Sequence, residues 1–213
     1  MKKHIIIAIV LLASSLQAMA QRDSLSPARQ YFYKTSQVSY SVAGGVRFRT
    51  FKGKYQYIVE NMDDKLFGRP LVELSGAPRS ADKEYDWGQI DGSQVDAALN
   101  ATFSRKERCL FGKDNGMLII EYVLDGNTGD VLEVAFSTDN IPAFTSLPLT
   151  KFVLLTENVK KHMKARIAEP AEYRMRYIED AIMYHFPTIP DLDENSAGSA
   201  GDFRAVDRDI EWQ

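Results

Sequence analysis

Between Met117 and Ser137 two runs of strand-forming residues enclose Asp125-Gly126-Asn127-Thr128-Gly129. Met117 to Leu124 is strongly apolar, and Asp130 to Ser137 returns with Val131, Leu132, Val134 and Phe136. Aromatic and β-branched residues suit a pleated, half-buried surface. The residues between the runs tolerate turn geometry, so the stretch predicts an antiparallel hairpin. Any fold for this chain must be built around that hairpin and must supply something to cover its apolar side.

The flanking segments supply both strands and helices. Residues 31 to 42 alternate aromatic or β-branched residues with polar ones before Gly44-Gly45. Val46 to Phe51 and Tyr55 to Glu60 surround Lys52-Gly53-Lys54 and read as a second hairpin. A short strand is expected at Leu71 to Leu74, then a polar loop from Arg79 to Asp91 anchored by Trp87. Val95, Ala98, Leu99, Thr102 and Phe103 recur at helical spacing, which predicts a helix over 93–107. After the central hairpin, Phe152, Leu155, Val159, Met163 and Ile167 predict a helix over 150–167. Tyr173, Tyr177, Ile178, Ala181, Ile182 and Phe186 predict another that begins near Pro170. The expectation is one α+β domain over 21–190. It is β-rich over 31–75 and helix-hairpin-helix-helix over 92–187, its antiparallel sheet having helices packed on one face.

Both ends read differently from this body. Lys2 and Lys3, the apolar run Ile5 to Leu12 and Ala18-Met19-Ala20 form a secretory leader, with cleavage expected after Ala20. The run is too short for a membrane span. The expectation is therefore a periplasmic or secreted protein whose mature chain has no membrane span. Residues 191–213 hold seven acidic residues and two arginines and read as an acidic flexible tail. Without leader and tail, the body carries 22 basic and 22 acidic residues. That balance excludes the one-sided basic footprint of a nucleic-acid binder.

Chemistry-bearing motifs are sparse. Cys109 is the single cysteine, which excludes a disulfide framework within the chain and a cysteine-rich zinc module. His162 and His185 have no metal-ligand spacing. The Asp125 loop departs from a calcium loop, offering Gly129 at the fifth position, Asp130 at the sixth and Phe136 at the twelfth. No Gly-x-Ser-x-Gly elbow or phosphate-binding glycine loop is present. No catalytic residue, metal or cofactor is therefore expected. The remaining feature is aromatic: Tyr31, Tyr33, Tyr40, Phe48, Tyr55, Tyr57 and Trp87 are candidates for a binding face if alternate members point outward.

The residues from Met117 to Phe136, followed by an amphipathic helix, resemble the C-terminal domain of TonB-type energy transducers. The resemblance rests on a strand, a turn of the form variable-Asp-x-x-Gly-x-Val and a return strand, and it covers about one third of the chain. It implies an α+β sandwich with an exposed strand edge that takes up a partner's extended segment. Val131, Glu133 and Val134 are the edge candidates. The chain lacks that family's uncleaved anchor and Pro-rich spacer, so energy transduction is not implied. The wider pattern is similar to small exported proteins of Gram-negative bacteria, a likeness that brings no known activity. The function expected is non-catalytic binding of another envelope protein through a sheet edge or the aromatic face. The alternatives are a hydrolase using carboxylates in a cleft near residues 31–57, and a carrier of glycans or small molecules.

Overall fold

The computed structural model describes residues 34–80, 83–85, 87–167 and 170–188. Tyr31 and Tyr33, the leader and the acidic tail lie outside the described residues. Strands β1 (Gln37–Ala43), β2 (Val46–Lys52) and β3 (Gln56–Asn61) form an antiparallel meander. Helices α1 (Gly92–Thr102) and α2 (Arg105–Lys113) lead into the central hairpin, β4 (Met117–Asp125) and β5 (Val131–Asp139). The short α3 (Pro142–Thr145) and the longer α4 (Leu149–His162) follow, and β6 (Tyr177–His185) closes the fold. One six-stranded sheet results, in the order β1-β2-β3-β5-β4-β6, antiparallel throughout. The chain is α+β.

Alternation decides which face each side chain meets. Phe48 and Val59 join Leu118, Ile120, Tyr122, Leu124, Val134 and Phe136 on the face covered by helices. There α4 places Phe152, Leu155 and Val159, and α1 places Val95, Ala98 and Leu99. A buried polar contact ties the two helices together. Asn158 Nδ2 donates to Thr102 Oγ1 at 3.0 Å, and that hydroxyl donates to the Ala98 carbonyl at 2.8 Å. On the opposite face Phe51 and Ile58 form a small cluster with Val38, and the Arg49 guanidinium sits 5.1 Å from the Phe51 ring.

The structure departs from the expected elements in four places. The single helix over 93–107 is two helices, because Ser104 stops one and caps the next. Glu107 N–H donates to Ser104 Oγ at 3.3 Å, and Ser104 N–H donates to the Glu107 carboxylate at 2.8 Å. That reciprocal box satisfies amides the new helix would otherwise leave unpaired. Lys151 on α4 then pairs with Glu107 at 2.9 Å, fixing the corner.

The helix expected over 150–167 ends at His162. Residues beyond it run extended, with Lys164 bridging to Asp130 and Arg166 to Gln89. The helix expected from Pro170 is instead a short 3₁₀ turn (Ala171–Tyr173) followed by β6. All nine residues of β6 pair with β4, from Tyr177 opposite Asp125 to His185 opposite Met117. Finally, the strand expected at Leu71 to Leu74 is reduced to two isolated bridges, Val72 with Pro78 and Glu73 with Met175.

Candidate interaction surface

The three edge candidates are not at an edge. β5 lies between β3 and β4, and Val131 and Val134 are buried in the core. Pairing with β3 runs from Phe136 to Asp139. Below it the flank of β5 is closed by the loop after β3. The Glu133 carboxylate accepts the backbone N–H groups of Lys65, Leu66 and Phe67 at 2.6, 2.7 and 3.3 Å. Glu179 on β6 extends this clamp by accepting the Gly68 N–H at 2.8 Å. The hairpin was legible locally, but its neighbour β3 arrives from 77 to 83 residues away in sequence, which no local pattern reveals.

The aromatic candidates are also dispersed. Phe48 points into the helix-covered core and is 2% exposed. Tyr57 shares that face, half-buried, with its ring 6.4 Å from Phe152, and burial pushes its phenol above the ordinary range. Tyr40 pairs with Arg49, one residue out of phase with Phe48, and therefore projects from the opposite face. Tyr55 lies exposed in the turn between β2 and β3 with Lys54 Nζ 4.7 Å from its ring. Trp87 is half-exposed under the Arg79 guanidinium, 5.0 Å away. It is not the anchor of its loop. Tyr85 is buried there, its hydroxyl donating to Glu73 at 3.0 Å and accepting the Ser80 N–H at 2.7 Å.

Carboxylates converge at the loop held by Glu133. Asp64 accepts from Asn61 Nδ2 at 3.0 Å, and burial, then the nearby Glu133 charge, push its carboxyl up to about 7. An acid whose folded value lies above its unfolded one binds its proton more tightly in the native state. Its contribution to stability is present below 3.8 and is lost as pH rises toward about 7. Asp64→Asn is expected to flatten that slope, raising the urea midpoint at pH 7 more than at pH 4. Equal changes at both pH values would remove Asp64 as the cause. Among the described residues, no three His, Cys, Asp or Glu side chains are grouped to hold a metal ion, and no helix is long and apolar enough to cross a membrane.

Among the described residues the sheet edges are β6 and β1, and they differ in chemistry. β6 carries Glu179 and Asp180 at its middle. Asp180 accepts the Ala181 N–H at 2.8 Å and the Tyr122 hydroxyl at 3.3 Å. Burial and the Asp180 charge hold the Tyr122 phenol protonated well above its usual range, so it remains a donor. A carboxylate occupying a backbone amide in mid-strand is a guard against strand pairing.

Among the described residues β1 carries no such device. Gln37-Val-Ser-Tyr-Ser-Val-Ala43 has no charge and no proline, its register with β2 runs unbroken over seven residues, and Tyr40 and Val42 are 66% and 71% exposed. The arginines beside it on β2 are already paired, Arg47 with Asp63 and Arg49 with Glu60. Sequence reading missed β1 as an edge: the uncharged alternating run ahead of the Gly-Gly turn marks a strand, but its outermost position is set by the assembled sheet.

No family model and no curated protein matches the chain. Among solved structures it is similar to a DUF5043 family protein from Bacteroides uniformis ATCC 8492, with a TM-score of 0.54 and 20% sequence identity. The likeness covers 74% of this chain and 94% of that one, and at this identity it is a likeness of fold.

Proposed function

We propose that this is an exported, non-catalytic binding module that takes up an extended polypeptide segment by strand addition along β1. The observation that carries the reading is the contrast between the two edges: β6 is guarded at Asp180, whereas β1 is long, neutral and unguarded. A segment laid against β1 gains main-chain hydrogen bonds, and its alternate side chains meet Val38, Tyr40 and Val42 on one face and Ser39 and Ser41 on the other. The reading keeps the strand-uptake idea that the TonB-like resemblance implied, which rested on the hairpin and the helix after it. It moves the binding edge away from Val131, Glu133 and Val134. Export rests on the leader-like residues 1–20.

The test is site-specific photo-crosslinking in an expressing Gram-negative cell. A crosslinking phenylalanine analogue is placed at position 40, with position 183 on β6 as comparison. Adducts to an extended segment at position 40 and not at 183 are expected. Adducts at 183 alone, or at neither position, would overturn the assignment.

A further inference from the structure

The geometry points to a second copy of this chain as the occupant of β1, an inference that rests on the strand-addition reading and names its partner. Val38-Ser39-Tyr40-Ser41-Val42 reads identically in both directions. An antiparallel pair related by a two-fold axis matches residue i of one copy with residue 80 minus i of the other. Centred on Tyr40, it therefore sets Tyr40 against Tyr40, Val38 against Val42 and Ser39 against Ser41. Within 38–42 every cross-strand pair then joins like with like, aromatic with aromatic, β-branched with β-branched and hydroxyl with hydroxyl, the classes that stabilise directly opposed positions, and the uncharged Gln37 and Ala43 face each other at the two ends. Interfaces with two-fold symmetry require this self-complementarity, because one patch must serve both partners.

Charge agrees with the pairing. β1 contributes none, and Arg47 and Arg49 on the adjacent strand are neutralised by Asp63 and Glu60, so two copies approach without like-charge repulsion. The β6 edge fails on self-complementarity, since a self-pair centred on Ala181 sets Glu179 against Met183 and Asp180 against Ile182, and Asp180 already holds the Ala181 N–H. Joined at β1, the two six-stranded sheets become one continuous antiparallel sheet of twelve. Seven paired residues span about 24 Å. One strand pair is a small contact beside the ~1,200–2,000 Å² typical of stable interfaces, so the dimer forms with concentration and is not permanent.

The experiment is analytical ultracentrifugation of the mature chain over a roughly hundredfold concentration range, with charge variants at the two-fold position. The wild type is expected to pass from monomer to dimer. Tyr40→Lys and Tyr40→Glu each place like charges face to face, and each is expected to stay monomeric. An equimolar mixture of the two is expected to dimerise again. Exposure of Tyr40 makes the variants tolerable to the fold, which circular dichroism confirms before use.

Register is read separately. With Cys109→Ser, Tyr40→Cys is expected to form a disulfide-linked dimer. Val42→Cys alone is not, whereas Val42→Cys mixed with Val38→Cys is. A wild type monomeric throughout, or a dimer that survives both charge variants, would overturn self-pairing. If the wild type stays monomeric while position 40 still crosslinks to an extended segment of another protein, strand addition stands and only the choice of partner falls.

Discussion

Gly129→Ala is expected to be among the most damaging single-methyl additions in the protein, lowering stability by on the order of 4 kcal/mol, a large share of the ~5–15 kcal/mol typical of a domain. Two independent costs meet at this position. Gly129 has φ +75°, where an L-residue's Cβ crowds the backbone and costs about 1–2 kcal/mol. A Cβ there would also lie 2.0 Å from the Ala165 carbonyl oxygen, a backbone atom that cannot rotate aside. Relieving the clash moves residue 165 away and breaks the 2.8 Å bond from Ala165 N–H to the Gly129 carbonyl. The loss would then spread along the extended residues after α4.

The comparison variant is Gly45→Ala. Its φ is +79°, but nothing lies within 4 Å of the added methyl, so only the conformational cost applies, about 1–2 kcal/mol. Urea unfolding monitored by circular dichroism separates the two. Equal midpoints for both variants would show that the approach of residue 165 to the turn contributes nothing. Gly126→Ala should behave like Gly129→Ala for the steric reason alone, since its Cβ would meet the Met175 carbonyl oxygen at 1.7 Å.

Phe111→Ala is expected to cost about 3–5 kcal/mol, the range for emptying a buried aromatic site. Phe111 is the hub of a ring cluster: its centroid lies 4.5 Å from Phe144, 4.8 Å from Phe186 and 5.1 Å from Phe103. Those rings come from α3, the end of the last strand and the link between α1 and α2. Truncation at Phe111 therefore removes contacts from three elements at once, and none of them can collapse into the space without leaving the others. The preceding residue offers the control. Leu110 is 45% exposed on the same helix, and Leu110→Ala is expected to stay within about 0.5 kcal/mol of the wild type. Comparable unfolding midpoints for the two variants would contradict the packing described for this corner.

How far the fold could be read ahead of the structure depends on the range of the forces that made each element. Residues 117–137 form their hairpin because alternation and turn residues are local properties. The break between α1 and α2 was equally local: Ser104 and Glu107 stand at capping-box spacing, and only the continuing apolar period obscured them. β6 is a different case. Its apolar residues at 178, 181, 182 and 186 fit a helix stripe, and the choice of a strand was made by the unpaired side of β4, which offered nine residues of main-chain partners. The period was ambiguous; the neighbour was decisive.

The candidate site divides in the same way. By itself the sequence determined the turn glycines, the neutral palindrome at 38–42 and the absence of a one-sided charge field over the body, because each is a property of residues adjacent in the chain or of a simple sum. Only the tertiary structure decided which strand is an edge. It buried Val131 and Val134 by inserting β5 between β3 and β4, closed the flank at Glu133 with backbone from residues 65–67, and left β1 outermost. Edge status is a statement about which hydrogen-bonding groups remain unpaired after all strands have assembled. Such pairing joins residues distant in sequence, and no local run of amino acids encodes it.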